Sequence, residues 1–327
     1  MARSTVSRLN GRRQPRVWAM VSAFAISLSA ICYPPFPLKA QPAEEQITPE
    51  AHIARNQRLI ADAERLKLTP AQVGGLLSQI GSDYEDLGDF QKAEDAYTRA
   101  LHLLEPLESA RVSYEVTLSN LGSMYVMTKN FDAAENCQKR SLAIVQAMGD
   151  PLLIARAQAH LADTYLAMGK NKDAARYSSL AVAALPTLAS ATAADKGSAL
   201  LTFSYASCLT SHCDRGLEAA REVMKIVSAS FAAESFPAGQ AHVALGFVEG
   251  RMGMKDAADD DLREGVRILR MTLPASHPLM IHALDLYREY LAANHRNEEA
   301  NKIADEQKSL TGNCKRCTVS VYGLRSQ

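Results

Sequence analysis

The chain has 327 residues with 36 basic and 36 acidic side chains, so its formal net charge is zero. The balance is uneven: residues 1–40 hold Arg3, Arg8, Arg12, Arg13, Arg16 and Lys39 and no acid, which leaves 30 basic against 36 acidic residues, a net of −6, downstream. A surface of that sign gains nothing from counterion release on nucleic acid, and 47% hydrophobic residues with a single Trp suit Ala-rich helix packing rather than a β-sandwich.

Five arginines precede VWAMVSAFAISLSAICY, an uncharged apolar run over residues 17–33. Pro34, Pro35 and Pro37 break any helix there, and Lys39-Ala40 leads into polar QPAEEQ. This three-part build predicts a secretory signal over residues 1–40, cleaved after Ala40. The run is short for a membrane span. An uncleaved anchor through residues 17–33 is the alternative, and it is the one membrane contact expected. Both readings put the rest of the chain outside the cytoplasm, periplasmic or secreted.

Residues 41–73 are expected to be a linker and a lead-in helix. Thr48 can cap a helix that starts at Pro49, a favoured first position for proline, and runs to about Lys67. Thr69-Pro70 repeats that start signal. The next stretch, LLSQIGSDYEDLGDFQKAEDAYTRALHLLE over residues 76–105, reads as two helices joined at Gly88. Leu77, Ile80 and Tyr84 share one face of the first helix, and Ala93, Tyr97 and Ala100 share one face of the second. Gly88 can take a positive φ, and Asp89 can cap the second helix. Small residues at Gly81 and Ala93 permit close approach. Two helices alone cannot bury such faces, so the unit needs stacked copies of itself.

Those copies are present downstream. Gly81 recurs as Gly122, Ala162, Ser207, Gly246 and Arg288, and Ala93 recurs as Ala134, Ala174, Ala219, Ala258 and Ala300, both with spacings of 41, 40, 45, 39 and 42 residues. Tyr84 returns as Tyr125 and Tyr165, and Gly88 as Gly169 and Gly253. Breaks at Pro106, Gly149-Asp150-Pro151, Pro186, Pro237 and His277-Pro278 fall between units. Small–x2–Tyr, a Gly turn, then Ala–x3–aromatic–x2–Ala resembles the tetratricopeptide repeat, and a period near 41 resembles its longer-helix, kinesin-light-chain-like variety, as found in bacterial exported proteins. The last unit, His277 to Leu310, resembles the terminal repeat of such proteins. The pattern departs at Ser207 and Thr210 in the fourth unit, at Arg288, and at His295, where glycine is usual. The resemblance implies an all-α fold: a right-handed α-solenoid of about six helix-turn-helix repeats over residues 74–311. A tail with a CxxC occupies residues 312–327, and its Thr318–Tyr322 alternates like a strand.

Candidate chemistry is sparse. Cys314 and Cys317 form the CxxC, but no strand and helix flank it as a redox motif requires, so a stapling disulfide is predicted. Cys208 and Cys213 flank the turn of the fourth unit and are placed to bridge it. Cys137 lies on a second helix and reads as buried and inert. A single CxxC is half a zinc site, and Asp259-Asp260-Asp261 lacks the alternation and glycine of a calcium loop, so no metal or cofactor is expected. The sequence holds no HExxH, phosphate loop or GxSxG, and no catalysis is predicted.

Stacked as in the family, the first helices would line a concave groove. Its predicted lining is Ser82 and Glu85; Asn120, Ser123 and Val126; Arg156, His160, Asp163 and Leu166; Phe247 and Arg251; then Asp285 and Glu289. Family members that clamp a peptide's terminal carboxylate use Lys, Arg and Asn there, and Asn120 alone matches. The resemblance therefore implies a scaffold or adaptor that takes an unidentified protein or peptide segment, with no nucleic acid; the alternatives are a sensor or assembly factor tethered through an uncleaved N-terminus, and, behind it, a redox or metal protein using the Cys tail.

Overall fold

The computed structural model describes residues 48–312, so the signal over residues 1–40, most of the linker, and the Cys314–Cys317 tail lie outside the described residues. Among the described residues the structure is helical throughout: α1 (Pro49–Ala61), α2 (Pro70–Asp86), α3 (Phe90–Leu104), α4 (Arg111–Met127), α5 (Phe131–Met148), α6 (Pro151–Ala167), α7 (Asn171–Ala184), α8 (Ala193–Leu209), α9 (Cys213–Ser230), α10 (Phe236–Met252), α11 (Lys255–Thr272), α12 (Pro278–Ala293) and α13 (Asn297–Gly312). From α2 onward they form six antiparallel pairs, and each pair stacks on the next. None of these helices is long and apolar enough to cross a membrane.

The two small-residue columns pack as their spacing requires. Ala93, Ala134, Ala174 and Ala258 are wholly buried, Ala219 is 5% exposed and Ala300 is 7% exposed. A Cβ at Gly81 would stand 2.6 Å from the Tyr97 ring, one at Gly122 would stand 2.6 Å from Gln138, and one at Gly246 would stand 2.8 Å from Leu262. Close approach in these three pairs therefore depends on this column. The fourth unit corrects the expected register: its two columns are held by Ser204 and Gly216, one turn before Ser207 and Ala219, with the would-be Cβ of Gly216 at 2.7 Å from the Ser204 carbonyl, so Ser207 takes the tyrosine position.

All six turns inside the pairs share one conformation. Gly88, Lys129, Gly169, Ser211, Gly253 and His295 each sit at positive φ, between 61° and 80°. In each turn the next residue's N–H returns to the helix carbonyl five residues back, as from Asp89 to Tyr84, His212 to Ser207 and Arg296 to Leu291, at 2.8–3.0 Å. These bonds satisfy carbonyls that the helix end would otherwise orphan. Half the turns thus carry a side chain in a region that favours glycine.

The recurring tyrosine ties the second and third pairs each to the one before it. Tyr125 donates to Glu94 of α3 at 2.7 Å and Tyr165 donates to Glu135 of α5 at 3.4 Å. Tyr84 instead receives a bond from Gln57 of α1 at 3.5 Å. The lead-in helix therefore stands where the second helix of a preceding unit would stand. It is shorter than expected: it ends at Ala61, and residues 62–67 turn rather than continuing to Lys67. Lys67 takes a φ of 52°, which delivers the chain to the Thr69 cap and its reciprocal bond with Gln72.

Candidate functional site

The first helices α2, α4, α6, α8, α10 and α12 lie side by side, as the repeat predicts. Their polar residues are used differently from the expectation of an open groove: most are spent between neighbouring first helices. Thr117 of α4 donates to Ser78 of α2 at 3.0 Å. Ser123 of α4 meets His160 of α6 at 3.5 Å. Arg156 of α6 grips Asp195 of α8 with two bonds, at 2.7 and 3.0 Å. The Thr202 hydroxyl of α8 donates to Asp163 of α6. Three of these four pairs are 39 residues apart and the fourth is 37, so the ladder follows the repeat.

Burial sets the electrostatics of this face. His160 is pushed down to about 4, first by desolvation and then by the Arg156 charge, so it is neutral near pH 7. Desolvation also acts against ionised Asp195, but bonds from Arg156 and Thr192 outweigh it and hold the carboxyl below its usual range. Glu85 is fully enclosed and rises to about 8 through desolvation, although the Tyr97 hydroxyl donates to it at 3.0 Å. It is a neutral acid fixed between α2 and α3.

The predicted lining residues divide into three groups. Glu85, Asn120, Ser123, His160, Asp163, Leu166 and Phe247 are buried in helix packing rather than open to a groove. Val126 is buried with Met127 against Leu279, far along the chain. The remainder stay nearer solvent: Ser82, Arg156, Arg251, Asp285 and Glu289 are half-buried. Around α10 and α12 the side chains are of a kind suited to a ligand. Phe247 packs against Tyr205 at 5.0 Å between ring centroids, and the Arg251 guanidinium lies 5.8 Å from the Phe247 ring. Burial lowers the pKa of Arg251, which remains a cation. Glu289 is raised by burial and by Asp285 beside it, while Asp285 accepts from Arg288 at 2.9 Å and from Gln307 at 3.0 Å.

Sequence reasoning missed Thr202, Asp195, Tyr205 and Leu279. The 39-residue offset between first helices was the available signal for Thr202 and Asp195, because it pairs each with a residue already chosen. Cys208 and Cys213 are joined by a disulfide across the fourth turn, and Cys137 is a buried thiol raised to about 11 by desolvation. A second concavity of about 340 Å³ opens between α1, α2 and α3, floored by Leu77, Ile80 and Ala96, with Lys92 on its rim.

Comparison with known proteins places this geometry. The tetratricopeptide-repeat family model matches residues 72–147 and, overlapping, 113–187. The structure is similar to the apo form of RapI, with 12% identity, 81% of this chain and 97% of that chain covered, and a TM-score of 0.60. It is also similar to a Rap protein complexed with Competence and Sporulation Factor, with 12% identity, 83% and 88% covered, and a TM-score of 0.56. A putative kinesin light chain of Podosopora anserina, with nearly identical TPR-like repeats, matches with 17% identity over 60% of this chain and 93% of that chain, at a TM-score of 0.44. No curated protein matches.

Proposed function

The chain is a tetratricopeptide-repeat protein, and from that premise we propose that it is a non-catalytic interaction scaffold that works outside the cytoplasm and takes a protein segment along its first-helix face. Stacked helix pairs are a binding architecture, because they present a long surface assembled from many units. The observation that carries the reading is the Arg251 guanidinium of α10, held beside a buried aromatic pair from α8 and α10. That cation, half-withdrawn from water, lies over Phe247, which packs in turn on Tyr205. Arginine and aromatic side chains of this kind dominate binding energy in interfaces. Half-buried Glu289 and Asp285 supply acid nearby, so the face suits a segment with both apolar and charged groups. The extracytoplasmic setting rests on the apolar run after five arginines, with a tether through an uncleaved N-terminus as its variant form.

The test uses the chain from residue 41 as bait in extract from its own compartment. Arg251→Ala and Glu289→Lys should each weaken recovery of the enriched protein about tenfold or more, whereas Lys139→Ala and Lys172→Ala, on exposed second-helix surface, should not. Equal recovery by all four variants refutes the first-helix face. Intact mass of the chain in membrane and soluble fractions separates cleavage after Ala40 from the tether.

A further inference from the structure

The extensive helix contacts of this array join helices of one unit or of adjacent units. One apolar cluster breaks that rule. Val126 and Met127 at the end of α4, Ala134 of α5 and Ala167 at the end of α6 are buried together with Leu279, the second residue of α12. Phe131 of α5, Phe236 at the start of α10 and Leu273 just after α11 pack against the same cluster. Stacking alone does not bring the sixth unit to the second, so the array coils back on itself. Electrostatics mark the same junction. Lys129, in the turn of the second unit, acts on the imidazole of His282, one helical turn beyond Leu279, and Asp285 acts on that imidazole from one turn further.

We propose that this junction is a latch: Leu279, buried in one cluster with Val126 and Met127, holds the coil closed, and the start of α12 must part from the ends of α4 and α6 for the coil to open. Two features support a releasable contact rather than core. From the sixth unit it draws on the start of α12, whereas the unit-to-unit interfaces run along whole helices. It sits at helix ends and turns, so parting it breaks no helix hydrogen bonds. The closure does not depend on which face takes a partner, and it is tested with no ligand present.

Hydroxyl-radical footprinting of the chain from residue 41 reads side-chain exposure directly, and small-angle scattering reads the coil. In the parent, Met127 should be oxidised about tenfold more slowly than Met148 and Met252, which are 39% and 42% exposed. Leu279→Asp should bring Met127 to the rate of those two and enlarge the radius of gyration, with helicity unchanged. Met127→Asp, from the other side, should raise labelling of Leu279 and His282, so the test survives if one variant misfolds. Met127 protected equally in parent and Leu279→Asp, with identical scattering, overturns the latch. So does a parent whose Met127 already reacts like Met148. If the latch opens as described but Arg251→Ala leaves partner recovery intact, the closure stands and the binding face is elsewhere.

Discussion

Two glycines on α2 should respond oppositely to the same substitution. At Gly81 a new Cβ would lie 2.6 Å from two carbons of the Tyr97 ring. That ring cannot yield easily: Tyr97 is wholly buried, and its hydroxyl holds the Glu85 carboxyl at 3.0 Å. Overpacking costs about 1–3 kcal/mol, and against a ring held this firmly the upper part of that range applies, about 2–3; set against about 1 kcal/mol gained in helix propensity, Gly81→Ala should destabilise by roughly 1–2 kcal/mol. At Gly75, six residues earlier, a Cβ would meet nothing within 4 Å. Only the propensity gain remains there, and Gly75→Ala should stabilise by about 0.5–1 kcal/mol. Urea unfolding followed by helical circular dichroism, with hydrogen exchange confined to residues 70–104, measures both. Shifts of the same sign, or a Gly81→Ala protein as stable as the parent, would refute the assignment of Gly81 as the close-approach position of its unit.

The turns, the buried ionisable groups and the disulfide give further expected outcomes. His295→Gly and Ser211→Gly relieve left-handed backbone at φ 62° and 72° and should each stabilise by about 0.5–1 kcal/mol in urea titrations, after the flexibility that glycine gives the unfolded chain is subtracted. His160, His277 and His282 are pushed down to about 4 by burial, so as pH falls from 6.5 toward 4 the unfolded chain takes protons that the folded chain refuses, and stability drops. Glu85, at about 8, and Glu249, at about 7, are raised first by desolvation and keep protons that the unfolded chain has released, so stability also falls as pH rises above 4.5. With three histidines against two acids, the melting temperature should peak near pH 6.5. Glu85→Gln should flatten the alkaline side of that curve. Reducing the Cys208–Cys213 disulfide should raise hydrogen exchange in residues 204–216 well above that in 119–134, since the fourth unit has Ser207 where the first three have a tyrosine. Unchanged exchange on reduction would show that helix packing alone secures that turn.

The fold was legible because its physics is local and repeated. A small residue at Gly81 or Gly246 and an alanine twelve residues on mark one close approach, and a second column in the same register leaves little freedom. The turns were legible only in part. Three of them carry Lys129, Ser211 and His295 at positive φ, and no side-chain preference announces that conformation at a lysine. The register supplied it for Lys129 and His295, which occupy the position that Gly88 holds in the first unit, but not for Ser211, because the fourth unit lies one turn earlier than the Ser207 and Ala219 columns place it. The length of α1 was misjudged for a related reason. The residues up to Lys67 favour helix, but the reciprocal Thr69–Gln72 cap needs a non-helical approach, and the cap prevails.

The first-helix face shows where periodicity stops informing. It correctly places Ser123, His160 and Asp163 on one side of their helices, yet a side that faces the next first helix and a side that faces a ligand differ by a fraction of a turn. Hydrogen-bond partners decide between them. His160 is met by Ser123 and Asp163 by the Thr202 hydroxyl, so both are committed to stacking, and their desolvation is compensated within the array. Arg251 and Glu289 are placed differently: the first lies over an aromatic ring, and the second is forced toward neutrality by burial and by Asp285. Stacking therefore accounts for the polar residues of the second to fourth units, and recognition is assigned to those of the fifth and sixth. If that division is right, Asp163→Asn should lower stability and leave partner recovery nearly intact, whereas Arg251→Ala should do the reverse. Both effects falling on one variant would mean that packing and binding share a single surface.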